Sequence, residues 1–143
     1  GAESKKCIVK YKQGLKLLQR FAPNKKIKMA QLTYLVGSEY EKQSDYKAAD
    51  KLYQDSINLV KEVLGTTHLD IAETLVNQSG VKSALGENAL ATTCLNDAID
   101  IQRKRLGNCE EVAITLTILG AHLKGIGDYD KAEQAYNEAV QIL

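Results

Sequence analysis

The sequence predicts an all-α solenoid of helix-turn-helix repeats, about seven helices in a single domain over residues 1–143. Three observations carry this. The string DYKAADKLYQDSINL at 45–59 returns as DYDKAEQAYNEAVQIL at 128–143, an offset of 83 residues. A shift of 42 from the first copy finds a middle one, with Ala49 on Ala91, Ile57 on Ile99 and Glu62-Val63-Leu64-Gly65 on Lys104-Arg105-Leu106-Gly107. Apolar residues inside each copy also recur at helical spacing, and a period of 20–50 residues marks units that bury their faces against their neighbours.

The elements follow in order. A backward shift of 42 sets Tyr53 on Tyr11, Ser56 on Gly14 and Ile57 on Leu15, so residues 4–29 read as half a repeat, a helix with Ile8, Tyr11, Leu15 and Leu18 on one face. Whole repeats then occupy 30–71, 72–112 and 113–143, each a pair of helices. Asp128 stands as the N-cap of the last helix, whose expected stripe is Tyr129, Ala132, Tyr136, Ala139 and Val140. Asp70 to Glu73 and Asn108 to Glu111 read as capping boxes. Gly65 and Gly107 fall where a helix stops in the left-handed conformation. The middle repeat departs from the others. It has Gln78 and Lys82 where its neighbours have Val36 and Tyr40 or Leu119 and Leu123, which weakens its expected core unless Lys82 lays its stem over apolar surface and keeps its ammonium wet; a contact surface at these residues is the alternative.

Composition narrows the function. With 44% hydrophobic and 26% charged residues the chain is globular, neither disordered nor fibrous. No apolar run approaches the ~18 residues of a membrane span. The sequence opens at Gly1 without an initiator Met and reads as a piece of a longer chain. Cys7, Cys94 and Cys109, odd in number and without a CxxC, fit reduced thiols and a cytoplasmic setting. His68 and His122 stand in no ligand-spaced cluster, and the glycines form no phosphate-cradling pattern, so no enzyme activity, cofactor or metal is expected. Charge is polarised. Residues 1–28 carry nine Lys/Arg against Glu3 alone, +8, while the rest carries −7. Tyr11 and Phe21, the aromatics of that basic segment, fit packing roles, so neither nucleic acid nor membrane is an expected partner. A homo-oligomer joined through charge polarity or through the array ends is an expectation instead.

These residues resemble the tetratricopeptide repeat. The small residue at the helix crossing falls on Gly37, Ser79 and Gly120, followed by Tyr40 and Leu123. The small and aromatic positions of the second helix fall on Ala49, Ala91 and Ala132, on Tyr53, Leu95 and Tyr136, and on Ser56, Ala98 and Ala139. The long period and the run through Leu64, Gly65, His68 and Ala72 are similar to the kinesin-light-chain subclass, with Leu69 where Pro is usual. The resemblance implies a right-handed superhelix whose first helices line a concave groove that binds a partner peptide. Carried over, the groove residues are Tyr34, Ser38, Glu41, Asn77, Gly80, Val81, Thr117, Ala121 and Lys124, with Asn77 placed to bond a ligand's backbone. The expectation is a cytoplasmic adaptor of a transport, cytoskeletal or ciliary complex. The alternative is a scaffold that packs on itself or on neighbouring domains with the groove empty.

Overall fold

The computed structural model describes residues 1–143. It holds seven α-helices and no strand: α1 Ala2–Phe21, α2 Lys26–Lys42, α3 Tyr46–Leu64, α4 Leu69–Ala84, α5 Asn88–Leu106, α6 Glu110–Gly125 and α7 Tyr129–Ile142. The chain forms two compact units, Gly1–Thr66 with α1 to α3 and Thr67–Leu143 with α4 to α7.

Each hairpin turns on the same hydrogen bonds. At the end of α2, Ser44 N–H bonds to Glu41 O at 2.9 Å and Asp45 N–H to Tyr40 O at 2.9 Å. Gly86 and Glu87 repeat the pair on Ser83 O and Lys82 O, and Gly127 and Asp128 on Lys124 O and Leu123 O. This is the Schellman closure, which needs a positive φ at its penultimate residue. Gly86 and Gly127 supply it at 79° and 87°; Ser44 does so at 61° with a Cβ in place. The next helix starts at once. Asp45 accepts from Ala48 N–H at 3.3 Å and Asp128 from Lys131 N–H at 3.4 Å. Glu87, one methylene longer, makes no such cap and instead meets the Lys82 ammonium at 3.2 Å.

Four local expectations change. The N-cap of α4 is His68, whose Nδ1 accepts from Asp70 N–H at 3.1 Å, so Asp70 lies inside the first turn and heads no capping box. The N-cap of α6 is Cys109, with Asn108 one residue outside it; the extended backbone at Cys109 turns the chain into the helix without an Asn cap. Gly65 and Gly107 do take positive φ, 84° and 72°, but with ψ at −176° and −168°. That is the extended mirror region open to glycine alone, not the left-handed helical one. In α7, Tyr129 and Val140 are exposed, and the buried stripe is Ala132, Ala135 and Ala139.

Unit 1 packs α2 between α1 and α3. Met29, Ala30, Val36, Ala49, Tyr53, Ile57 and Val60 are its buried apolar residues on α2 and α3, and Ile8 is the one buried on α1. Ser56 Oγ donates to Ala30 O at 2.8 Å, a bond possible because the two helices meet at small residues. A Cβ at Gly37 would stand 3.1 Å from the Tyr53 ring. Unit 2 is built the same way about Leu95, Ile99, Val112, Ala113, Leu116, Leu119, Leu123, Ala132, Ala135 and Ala139. There a Cβ at Gly120 would fall 2.8–2.9 Å from Tyr136.

The middle hairpin accommodates its polar residues. Gln78 is buried, and its Oε1 receives the Cys94 thiol at 3.7 Å. Lys82 keeps 17% of its side chain exposed, and its ammonium meets the Glu87 carboxylate at 3.2 Å.

Two glycines of unit 2 separate close packing from helix propensity. Gly120→Ala should lower stability by about 1–3 kcal/mol, because a side chain driven into a filled core strains it. Gly80→Ala meets nothing within 4 Å. It should raise stability by up to about 1 kcal/mol through helix propensity. Thermal or denaturant unfolding of both variants checks the opposite signs.

Candidate functional site

In unit 1 the face of α2 away from the core carries Tyr34, Ser38 and Glu41. Residues four and seven apart share a helix face, and all three are half-buried. Tyr53 reaches this face from α3. Its ring is fully buried across Gly37, and its hydroxyl donates to Glu41 Oε1 at 2.6 Å. Tyr34 lies beside it, ring centroids 5.6 Å apart and planes tilted by 41°. Burial first, then the hydrogen bond to Glu41 and the charge of that carboxylate, push the Tyr53 phenol far above its ordinary value. Leu35, 38% exposed, borders the same face.

In unit 2 the expected residues separate. On α4, Asn77 is half-buried and Gly80 exposed. Val81 is fully buried among the core side chains, because one further residue turns it 100° round the helix toward the interior. It is not a surface residue. On α6, Thr117, Ala121 and Lys124 are exposed, and the Thr117 hydroxyl is spent on Ala113 O at 2.9 Å. Ile114 and Ile118 lie exposed beside them, 53% and 38%. They add to α6 an apolar strip that reasoning on repeat positions missed. Its signal was present: two β-branched apolar residues off the stripe of Leu116, Leu119 and Leu123.

A second concavity was also missed. A cleft of about 340 Å³ lies between α5 and α7 over a floor of Leu116, Leu119 and Leu123 from α6. The Arg103–Glu138 ion pair sits on its rim. Its floor is the core-facing side of α6, a different face from Thr117 and Ala121. His122 does a structural task. His122 Nε2 lies 3.0 Å from Thr92 Oγ1 and 3.2 Å from Asn88 O, tying α6 to the start of α5. The three cysteines are free thiols, and no group of three or more His, Cys, Asp or Glu is arranged to hold a metal ion. No helix is long and apolar enough to cross a membrane.

The family model described as Tetratricopeptide repeat matches residues 28–104 and 70–143. The chain belongs to the tetratricopeptide repeat family. Repeats of this family mediate protein–protein interaction and are typically non-catalytic. Among solved structures, BtubC (BKLC) from P. vanneervenii is similar with a TM-score of 0.90 at 17% identity. That match covers 98% of this tetratricopeptide repeat chain but only 56% of the BtubC chain. MamA matches with a TM-score of 0.61 and 20% identity, covering 94% of this chain and 85% of its own. Likenesses at these identities concern the fold. No curated protein matches the sequence.

The Tyr53–Glu41 bond has a signature in alkali. An unfolded chain ionises this phenol near its ordinary value of 10.0, and the folded chain holds it neutral well beyond that. Its contribution to stability is therefore whole below pH about 10 and is lost as pH rises above it. Tyr53→Phe should lower stability at neutral pH by about 1 kcal/mol. It should also leave the tyrosinate absorbance that the folded chain develops up to pH about 11 unchanged, because Tyr53 contributes nothing there.

Proposed function

We propose that this tetratricopeptide repeat chain is a non-catalytic interaction module whose first-helix faces hold a peptide segment of a partner protein. Tyr34, Ser38 and Glu41 form the docking face of unit 1, and Asn77, Gly80, Thr117, Ala121 and Lys124 belong to those of unit 2. The observation that carries this is the exposed face of α6. Ile114 and Ile118 lie open to water beside Thr117 and Ala121, while the opposite side of the helix is core. An apolar strip set among small residues gives a peptide both a hydrophobic contact and close approach to the helix backbone. A kinesin-light-chain-like subclass, a cytoplasmic location and a place in a transport, cytoskeletal or ciliary complex complete the proposal, on the strength of the LGTTHLDIA junction at 64–72.

Capture of partners from cell lysate tests it. Proteins held by the wild type should be lost with the Tyr34→Ala/Asn77→Ala double variant, provided its Tm stays within a few degrees of the wild type. Proteins retained by a folded double variant would move the function away from these faces.

A second reading has an observation of its own. On α1, Leu17 and Phe21 are 58% and 70% exposed beside Lys16 and Arg20, so Phe21, at the end of its helix, does not take the packing role the sequence suggested for it. Such a basic and apolar face suits a scaffold that associates head to tail with the acidic remainder of another copy. If charge polarity drives that contact, oligomers should dissociate as salt rises from about 50 to about 500 mM, where screening shortens to a few Å. Sedimentation across that range decides it, and salt-resistant oligomers would assign the contact to Leu17 and Phe21.

A further inference from the structure

Glu41 is an oriented side chain. The Tyr53 hydroxyl donates to one of its carboxylate oxygens at 2.6 Å, and burial of the phenol keeps that proton on Tyr53. On the same half-buried face, where charge is screened less than in open water, stand the hydroxyl-bearing Ser38 one turn away and Tyr34 two turns away, the Tyr34 ring 5.6 Å from the ring of Tyr53. Two lysines of the same unit have partners of their own. Lys42 bonds to Glu39 at 3.1 Å, and Lys12 to the Tyr40 hydroxyl at 2.7 Å.

A fixed carboxylate that shares a helix face with an aromatic ring has the chemistry that recognises an ammonium or guanidinium group: charge-assisted hydrogen bonds from one side, ring attraction from the other. The last hairpin repeats the ring-on-glycine contact with Tyr136 and Gly120, but its counterparts of Tyr34, Ser38 and Glu41 are Thr117, Ala121 and Lys124. A cation would be repelled there. The feature belongs to unit 1.

We propose that the α2 face of unit 1 takes one lysine or arginine side chain of the bound peptide, with Glu41 accepting from its charged head and Tyr34 lying against it. This rests on the peptide-docking reading above and gives it a ligand chemistry. The surroundings sharpen the choice. Unit 1 carries thirteen Lys/Arg against seven Asp/Glu, so its field opposes a polybasic segment. The fitting ligand is a single cation set in an otherwise neutral or acidic stretch.

Selection of a displayed library of short random peptides on the intact chain tests this. Binders should share one Lys or Arg in a neutral or acidic context. Glu41→Gln should weaken them about tenfold at unchanged Tm, since the Gln oxygen still accepts from Tyr53 while the charge is gone. Binders that lack a cation, or that hold to Glu41→Gln as tightly as to wild type yet are lost on Asn77→Ala, would overturn the cation site and leave peptide docking standing. A library that yields no binder would overturn both.

Discussion

The architecture of each hairpin depends on two helices meeting at a residue small enough to let them touch. At Gly37 and Gly120 that residue has no Cβ, and the ring of Tyr53 or Tyr136 fills the space a methyl would need. At Ser79 a hydroxyl takes the place, turned back onto Val76 O at 2.6 Å, and the ring opposite is replaced by Leu95. Close approach then allows secondary gains. Ser56 reaches a backbone carbonyl on the neighbouring helix, and Ala49, Ala91 and Ala98 become fully enclosed. Interiors at crystal-like density leave little tolerance at such a point, which is why the crossing residue sets the geometry of the pair and the rest of the stripe follows it.

The same contact builds the candidate site. A tyrosine laid across a glycine has its hydroxyl delivered to the far side of the opposing helix, so a residue counted as core contributes a polar group to a surface. In α2 that hydroxyl finds Glu41. Core packing and the proposed docking face thus share one contact, and a peptide held there would meet a face backed by the buried ring of Tyr53. A site on a rigid helical element loses less conformational entropy on binding than one on a loop.

Much of the fold was legible because repetition is legible. The equivalence of Ala49, Ala91 and Ala132, or of Ser44, Gly86 and Gly127, fixes helix number, turn position and most of the core without any appeal to tertiary contacts. What escaped lay where local chemistry competes with a pattern. His68 caps α4 because an imidazole nitrogen at that position reaches Asp70 N–H first, and composition alone ranks Asp above His. Val81 was misplaced because one residue step decides between interior and surface on a helix. Tyr129 and Val140 fit a helical period but not the actual stripe, which follows the small alanines. The Tyr53–Glu41 bond could not be read, since it joins two helices through a side chain whose reach depends on the absence of a neighbour's Cβ.

The buried amide of the middle hairpin has a bearing on how such an array reaches its proper order. Similar hairpins in one chain invite wrong partnerships, a recognised failure of repeat proteins. Gln78 matches the thiol of Cys94 on α5, whereas the counterparts of Cys94 on α3 and α7 are Leu52 and Ala135, which offer its carbonyl only hydrocarbon. A mispaired α4 would give up the bond that the Cys94 thiol donates to that amide, a loss of about 0.5–1 kcal/mol. The residue that weakens the repeat pattern therefore favours one pairing: of three look-alike helices, α5 alone offers α4 a thiol at that position.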